Sequence, residues 1–331
     1  MLTTLPFRTS TVLLLGWLAL AAGEVEQGKW LPISDGILAQ LAADKQKVGY
    51  PGATAGITVD HASGDVFVVI CDQGLWKSTD QGATFARVDK KAIGGRCETG
   101  FALDADPAGK RLMCFMIYGA SALTVDGGTT WSASTLSHLD FGATDWSTPA
   151  ATTMIAVKHE SGDEAVLSKD AGKTWTSLGK GFKQVGMFPG GVLMGGKSDG
   201  VQRSEDGGMI WTKVATFKPA GLAMRVHDGV GYWTTAEGVQ ASRDAGRTWA
   251  PLGIPVKAYY GPYFGKTAGH LVVVGKDGIS ETTDAGATWT VVAPLPAGFT
   301  VGFTGPNFGW DAQRGIFYAS TMGKAAVRFV R

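Results

Sequence analysis

The sequence predicts an all-β fold, a single seven-bladed β-propeller of four-stranded antiparallel blades whose ring is closed by the N-terminal strand. Three observations predict it. A short turn motif recurs at the spacing of one blade, glycine contributes 48 of 331 residues, and aromatic residues make up 10% of the chain. Abundant glycine and aromatics together are typical of many short strands joined by tight turns.

The repeated motif is Ser/Thr-x-Asp-x-Gly-x-Thr-aromatic, and it occurs six times, once with Ile210 in place of the threonine. Its aspartates are Asp80, Asp126, Asp170, Asp206, Asp244 and Asp284. The intervals between them suit a propeller blade of roughly 40–45 residues. An aspartate can accept hydrogen bonds from the backbone ahead of it, and the glycine permits a positive φ. We therefore expect these aspartates to hold hairpin turns.

The seventh blade is predicted from the two ends of the chain, which carry no motif. Residues 299–303, 315–320 and 325–330 are expected to supply three strands, and the segment around Trp30 the fourth. Such closure leaves no unpaired strand edge. Between residues 33 and 51, the spacing of Ile37, Leu38 and Leu41 predicts one short helix.

The first 23 residues have the pattern of a secretory signal peptide. Arg8 precedes an apolar run from Thr11 to Ala22, and small residues follow it. That run is shorter than the roughly 20 residues needed to span a bilayer. We therefore expect residues 24–331 to form the mature propeller, without a membrane span, and to be secreted or periplasmic.

Charge and cysteine content restrict the classes of partner. The formal net charge is +1, from 30 basic and 29 acidic residues, so no basic face for nucleic acid is indicated. No spacing of a metal site is present, and we expect no metal, no cofactor and a monomer. The three cysteines predict a disulfide between Cys71 and Cys97, with Cys114 as a buried free thiol.

The motif copies, among them STDQGATF, SKDAGKTW, SRDAGRTW and TTDAGATW, resemble the Asp-box (BNR) repeat superfamily. That superfamily includes sialidases, two-propeller xyloglucanases, sortilin receptors and photosystem II assembly factors. The resemblance implies that the boxes lie on the rim away from the ligand face. It does not supply catalytic residues, because the early Phe-Arg pair of sialidases has a counterpart only at Phe7-Arg8, within the leader.

The candidate ligand-binding residues come from the loops expected on the ligand face. They are Asp140, Asp145, Trp146, Lys257, Tyr259, Tyr260 and Tyr263. Asp140 and Asp145 are the nearest to a carboxylate pair for glycoside hydrolysis, with turn formation as the alternative. The tyrosines can stack on sugar rings, or they can fill the core. Arg96 and Glu98 flank Cys97, and His138 and His159 stand without a nucleophile motif.

These features predict a non-catalytic binding propeller that recognises a glycan or an exported protein. Two alternatives stay open. One is a glycoside hydrolase of sialidase-like type, which would need convergent arginines or carboxylates in a central pocket. The other is an assembly scaffold for a membrane protein complex, which would need a broad surface patch.

Overall fold

The computed structural model describes residues 26–302 and 306–331, and the predicted signal peptide lies outside them. The described chain forms seven four-stranded antiparallel sheets and one helix, which confirms the predicted propeller. In that part of the chain, no helix has the length and apolar character needed to cross a membrane.

Each blade is one sheet. In blades 1 to 6 the strands follow chain order from the channel outwards, whereas in blade 7 the N-terminal strand is the outermost. The N-terminal strand is β1 (Trp30–Pro32), followed by the helix α1 (Asp35–Ala43). Blade 1 contains β2 (Thr54–Val59), β3 (Val66–Ile70), β4 (Gly74–Ser78) and β5 (Ala86–Arg87). Blade 2 contains β6 (Leu103–Ala105), β7 (Leu112–Cys114), β8 (Ala122–Thr124) and β9 (Ser132–Ala133). Blade 3 contains β10 (Leu139–Thr144), β11 (Met154–Lys158), β12 (Ala165–Ser168) and β13 (Thr176–Gly179).

The remaining blades repeat the pattern. Blade 4 contains β14 (Gln184–Phe188), β15 (Val192–Lys197), β16 (Gly200–Ser204) and β17 (Thr212–Ala215). Blade 5 contains β18 (Arg225–His227), β19 (Val230–Thr235), β20 (Gly238–Ser242) and β21 (Ala250–Pro251). Blade 6 contains β22 (Tyr260–Phe264), β23 (Leu271–Gly275), β24 (Gly278–Thr282) and β25 (Thr290–Ala293). Blade 7 contains β26 (Asn307–Asp311), β27 (Ile316–Ser320), β28 (Val327–Val330) and the N-terminal β1.

The ring closes as predicted, because β1 pairs with β28 in antiparallel register. Trp30 lies opposite Phe329, with ring centroids 5.4 Å apart, and its indole N–H donates to the Pro294 carbonyl at 2.9 Å. One predicted strand is wrong: blade 7 begins at Asn307 and not at residue 299. Phe299 instead ends a turn in which its N–H donates to the Pro296 carbonyl, and residue 303 lies outside the described chain.

The helix α1 confirms the predicted insert and covers blades 1 and 7. Ile37 and Leu41 are buried in one cluster with Ile57, Trp76 and Tyr318. Because this helix packs on the strands at the closing seam, the N-terminal segment contributes both a strand and a cover to the ring.

The predicted disulfide between Cys71 and Cys97 is wrong, because all three cysteines are free and buried. The Sγ of Cys71 lies 3.8 Å from the Gly52 carbonyl, whereas the Sγ of Cys97 lies 3.7 Å from the Met116 sulfur. The two thiols therefore contact different neighbours. Burial raises the pKa of the Cys71 thiol to about 11, which keeps it protonated at neutral pH. Cys114 is a free thiol in the core, as predicted.

Candidate functional site

The antiparallel blades give the propeller two faces. One face carries the turns between first and second strands and the boxed turns between third and fourth strands; we call it the box face. The other carries the turns between second and third strands and the connections between blades; we call it the loop face. Residues at the two ends of one strand therefore belong to different faces.

The boxes form the turns that their sequence predicts. In the third box, the Ser168 hydroxyl donates to Asp170 at 2.9 Å and accepts the Gly172 N–H at 2.9 Å. The Asp170 carboxylate also accepts the N–H and the hydroxyl of Thr174, at 2.8 and 2.7 Å. The Trp175 indole then donates to Ser134 of the preceding blade at 3.1 Å. This box therefore closes its own hairpin and contacts the neighbouring blade.

We expect Asp244→Ala to lower the melting temperature by roughly 2–6 °C, because it removes the acceptor of the fifth box. Burial opposes ionisation of Asp244, but hydrogen bonds from Thr248 and Ser242 outweigh it and lower the carboxyl pKa to about 2. A lowered folded-state pKa stabilises the protein above the ordinary value of 3.8, and this stabilisation is lost as the pH falls towards 2. Wild type and variant should therefore differ at pH 7 and converge near pH 2.

The matched control is Asp277→Ala, since the side chain of Asp277 is 59% exposed and lies outside the boxes. Thermal unfolding followed by circular dichroism measures both variants. Equal melting temperatures for Asp244→Ala and wild type at pH 7 would contradict a structural role of the box.

The loop face carries an aromatic and basic cluster across blades 1 and 2. It is formed by Tyr50, Arg96 and Tyr118, and we call it the Tyr–Arg–Tyr stack. The Arg96 guanidinium carbon lies 5.2 Å from the Tyr50 ring centroid and 4.5 Å from that of Tyr118. Tyr50 is 73% exposed and Tyr118 48% exposed. Both are large apolar surfaces presented to solvent on one face.

Glu98 holds the guanidinium of the stack in place. Its Oε1 accepts from Arg96 Nε at 2.8 Å and from Nη2 at 2.5 Å, and the two side chains are only 13% and 17% exposed. Such a charge-assisted pair fixes the plane of the guanidinium. The cation is therefore positioned before any ligand arrives.

Tyr118 is positioned by a chain of hydrogen bonds. Its hydroxyl lies 3.1 Å from His159 Nε2, and His159 Nδ1 lies 2.8 Å from Asp140 Oδ1. A proton on Nδ1, donated to Asp140, leaves Nε2 as the acceptor for the tyrosine hydroxyl. Burial raises the pKa of Asp140, against the hydrogen bond from His159. Tyr118 also has a φ of 56°, a conformation that side chains rarely adopt without such support.

Six boxes on seven four-stranded blades decide the type of fold. This chain is a seven-bladed β-propeller with six boxed turns. No family model matches it. It is similar to the "Dispase autolysis-inducing protein" of Streptomyces mobaraensis, at 31% identity over 160 residues, which are 46% of this chain and 42% of that protein. The match therefore spans less than half of either protein.

Solved structures share the fold of the propeller. YCF48 bound to a D1 peptide has a TM-score of 0.51 and 15% identity, over 93% of this chain and 96% of that one. An ancestral GH74 enzyme has a TM-score of 0.52 and 14% identity, over 85% of this chain and 45% of that one. At these identities, the similarity concerns the fold alone.

The predicted tyrosine cluster divides between core and surface in the propeller. Tyr260 is fully buried, and its hydroxyl donates to the Gly302 carbonyl at 2.5 Å. Its ring lies 6.2 Å from that of Phe101 and 5.8 Å from that of Phe308, so three blades meet there across the channel. Tyr263 is partly buried, with a buried hydroxyl. Burial raises the pKa of both phenols. Tyr260 therefore packs in the core.

Tyr259 and Lys257 belong to the loop face. Tyr259 is half-buried and lines a cavity of about 470 Å³ together with Lys183 and Gln184. Lys257 pairs with Asp277 at 2.8 Å, and both side chains are more than half exposed. An exposed pair of this kind contributes little to stability. These two residues stay candidates for ligand contact, in addition to the Tyr–Arg–Tyr stack.

Asp140 and Asp145 do not share a loop, contrary to the sequence-based expectation. Asp140 lies at the loop-face end of β10, whereas Asp145 follows its other end. Five strand residues of about 3.3 Å each place them roughly 16 Å apart, too far for a hydrolytic carboxylate pair. Asp145 instead holds a turn, accepting from Ser147 at 2.9 Å and from the Gly190 N–H of the next blade at 3.1 Å.

Trp146 also belongs to the box face. It lines a cavity of about 380 Å³ with Met187 and His227, and Arg111 lies 5.3 Å from its ring. The predicted pair Asp145 and Trp146 is therefore on the face opposite Asp140. Trp146 stays a candidate ligand contact there, whereas the turn interpretation applies to Asp145.

Sequence reasoning missed Tyr50 and Tyr118, because they are 68 residues apart in the chain and only the folded ring brings both next to Arg96. It also missed a second family of turns, in which Asp60, Asp106 and Asp311 end inner strands as Asp145 does. The aspartate three or four residues before a glycine, as in Asp60-to-Gly64, is the signal that could have found these turns.

Proposed function

We propose that the propeller binds a segment of an exported protein on its loop face, with the Tyr–Arg–Tyr stack as the central contact. The observation that carries this proposal is the exposure of Tyr50 and Tyr118, at 73% and 48%, next to a positioned guanidinium. Tyrosine and arginine are the residues enriched at the energetic centres of protein interfaces. The expected leader makes the partner an exported protein.

The stack is preorganised, which supports a binding role. Glu98 holds Arg96, and His159 with Asp140 holds Tyr118. A surface that is ordered before binding loses less side-chain entropy when a ligand arrives. Exposed aromatics without such support would contribute less affinity.

Two of the comparisons support a polypeptide as the ligand, while a GH74 enzyme shares the fold to the same degree. YCF48, which shares the fold, has been solved with a D1 peptide. The Streptomyces relative is named for its effect on another protein, dispase. An assembly scaffold for a membrane protein complex is one form of the same proposal, since it also binds a polypeptide on a broad face.

The test selects random 12-residue peptides displayed on phage against immobilised wild type, and then measures the affinity of selected peptides by titration. We expect the double variant Tyr50→Ala/Tyr118→Ala to bind these peptides at least roughly 30-fold more weakly, the factor for a loss of about 2 kcal/mol. The matched control is Met209→Ala, an apolar side chain that is 79% exposed on the box face. It should bind as wild type does.

Two results would contradict the proposal. Peptides that bind the double variant and wild type equally would place the contact elsewhere. Binding to a glycan array alone, lost in the double variant, would support the glycan interpretation, since aromatic faces also stack on sugars.

The hydrolase alternative rests on one observation, the neighbourhood of Glu98 and Asp140. The Thr99 hydroxyl, next to Glu98, donates to the Asp140 carbonyl at 2.6 Å, and the charge of Glu98 contributes to raising the pKa of Asp140. Cleavage of fluorogenic glycosides by wild type, abolished in Asp140→Asn, would support hydrolysis. Glu98 is paired with Arg96, and Asp140 is paired with His159. These pairings favour a binding role over hydrolysis.

A further inference from the structure

A small cavity of about 20 Å³ lies inside the ring of inner strands, away from the Tyr–Arg–Tyr stack. His61, Arg225, Tyr263 and Trp310 line it, and they come from blades 1, 5, 6 and 7. Phe101 and Phe308 line it too and contact Tyr260 on the side of the loop face. The cavity is therefore lined by residues of blades 1, 2, 5, 6 and 7 and bounded by the aromatic core.

Two polar groups that line this cavity lack a hydrogen-bond partner among the described residues, and both can donate. Trp310 is 3% exposed, and its indole N–H has no hydrogen-bond partner among the described residues. The Tyr263 hydroxyl is also buried, and it too has no hydrogen-bond partner among the described residues. Arg225 gives one N–H to Asp104, at 3.2 Å, and the described residues offer no acceptor for its others. Buried donors without acceptors are costly, so a ligand that accepts hydrogen bonds would be stabilised here.

Arg225 is the charged side chain among the residues that line the cavity, whereas the carboxylates of Asp60, Asp104 and Asp311 do not line it. Burial of His61 lowers the pKa of its imidazole to about 4, and the positive charge of Arg225 contributes to this shift. The imidazole is therefore neutral at pH 7 and keeps one N–H. The nearby carboxylates are engaged. Asp60 accepts hydrogen bonds from three backbone N–H groups. Asp311 accepts hydrogen bonds from two backbone N–H groups and from the Arg314 guanidinium. Asp104 is bound to Arg225 and to the Thr144 N–H.

We propose that this cavity binds one halide ion, chloride under ordinary conditions, held by Arg225, Tyr263, Trp310 and His61. The volume holds one group slightly larger than a water molecule, which excludes sulfate, phosphate and larger carboxylates. A water molecule accepts at most about two hydrogen bonds, whereas a halide ion can accept from all four groups at once. The ion would tie the inner strands of blades 1, 5, 6 and 7 together.

The test compares thermal unfolding of the full protein in sodium chloride, sodium bromide and sodium gluconate at constant ionic strength. We expect the melting temperature to rise saturably with chloride and bromide but not with gluconate, because a ligand that binds only the folded state stabilises it. Tyr263→Phe removes one donor and keeps the ring. It should weaken the apparent halide affinity at least roughly tenfold, as for a hydrogen bond to a charged ligand.

The matched control is Tyr232→Phe, a buried tyrosine that does not line the cavity and should leave the halide response unchanged. A crystal of wild type grown in bromide should show an anomalous peak between Arg225 and Tyr263. Equal stabilisation by gluconate, or a cavity that holds water while bromide lies only on the surface, would overturn the proposal. So would a Tyr263→Phe variant that keeps the wild-type halide affinity.

Discussion

Removal of residues 26–33 should destabilise the propeller by at least about 3 kcal/mol, the lower range for loss of a large aromatic from a core. This segment supplies β1, and with it the pairing of Trp30, Leu31 and Pro32 with β28. The deletion also removes Ile33, which is buried in one cluster with Ile37 and Leu41 of α1. The truncated ring would expose β28 as an unpaired edge, which promotes association between chains.

Equilibrium unfolding in urea and size-exclusion chromatography measure the two effects. The control is Lys29→Ala, because Lys29 is 69% exposed in a surface ion pair with Glu26 and leaves β1 intact. We expect this control to unfold as wild type does. A truncated protein with unchanged stability and no new association would show that the ring does not depend on the N-terminal strand.

Tyr260→Ala should cost about 3–5 kcal/mol of unfolding free energy, as for other buried aromatics. The ring fills the centre of the channel between Phe101 and Phe308. Gly100 faces it so closely that a Cβ there would lie 2.9 Å from Tyr260 Cε1. The surrounding backbone therefore leaves little room for another side chain to refill the space.

The companion variant Tyr260→Phe separates the ring from the hydroxyl. It loses the two hydrogen bonds with Gly302 and should cost only about 1–2 kcal/mol. Both variants are compared by urea unfolding and by titration with the selected peptides. A stable Tyr260→Ala variant that loses peptide affinity would place this tyrosine on the ligand face instead of in the core.

The architecture was predictable because it depends on local chemistry that repeats. A serine, an aspartate and a glycine at fixed spacing close a hairpin with their own hydrogen bonds, as Ser168, Asp170 and Gly172 do. Six copies determine six blades, and the strand around Trp30 supplies the last partner of the seventh. Each step needs only neighbours in the chain or the rule that strand edges are paired.

The candidate site was less predictable, because its residues come from separate loops. Tyr50, Arg96, Tyr118 and His159 belong to four different connections, and only closure of the ring brings them within contact distance. Asp140 and Asp145, close in sequence, lie on opposite faces because a strand separates them.

The sequence by itself therefore determined the propeller, its boxed turns and its closure, since these are set by periodic local interactions. Only the tertiary structure decided which loop residues meet. It placed Tyr260 in the core, kept Cys71 and Cys97 as separate thiols, and assembled the donors around Arg225. The physical reason is that contacts between blades depend on the direction of each side chain after the ring has closed, and one short motif per blade does not encode that direction.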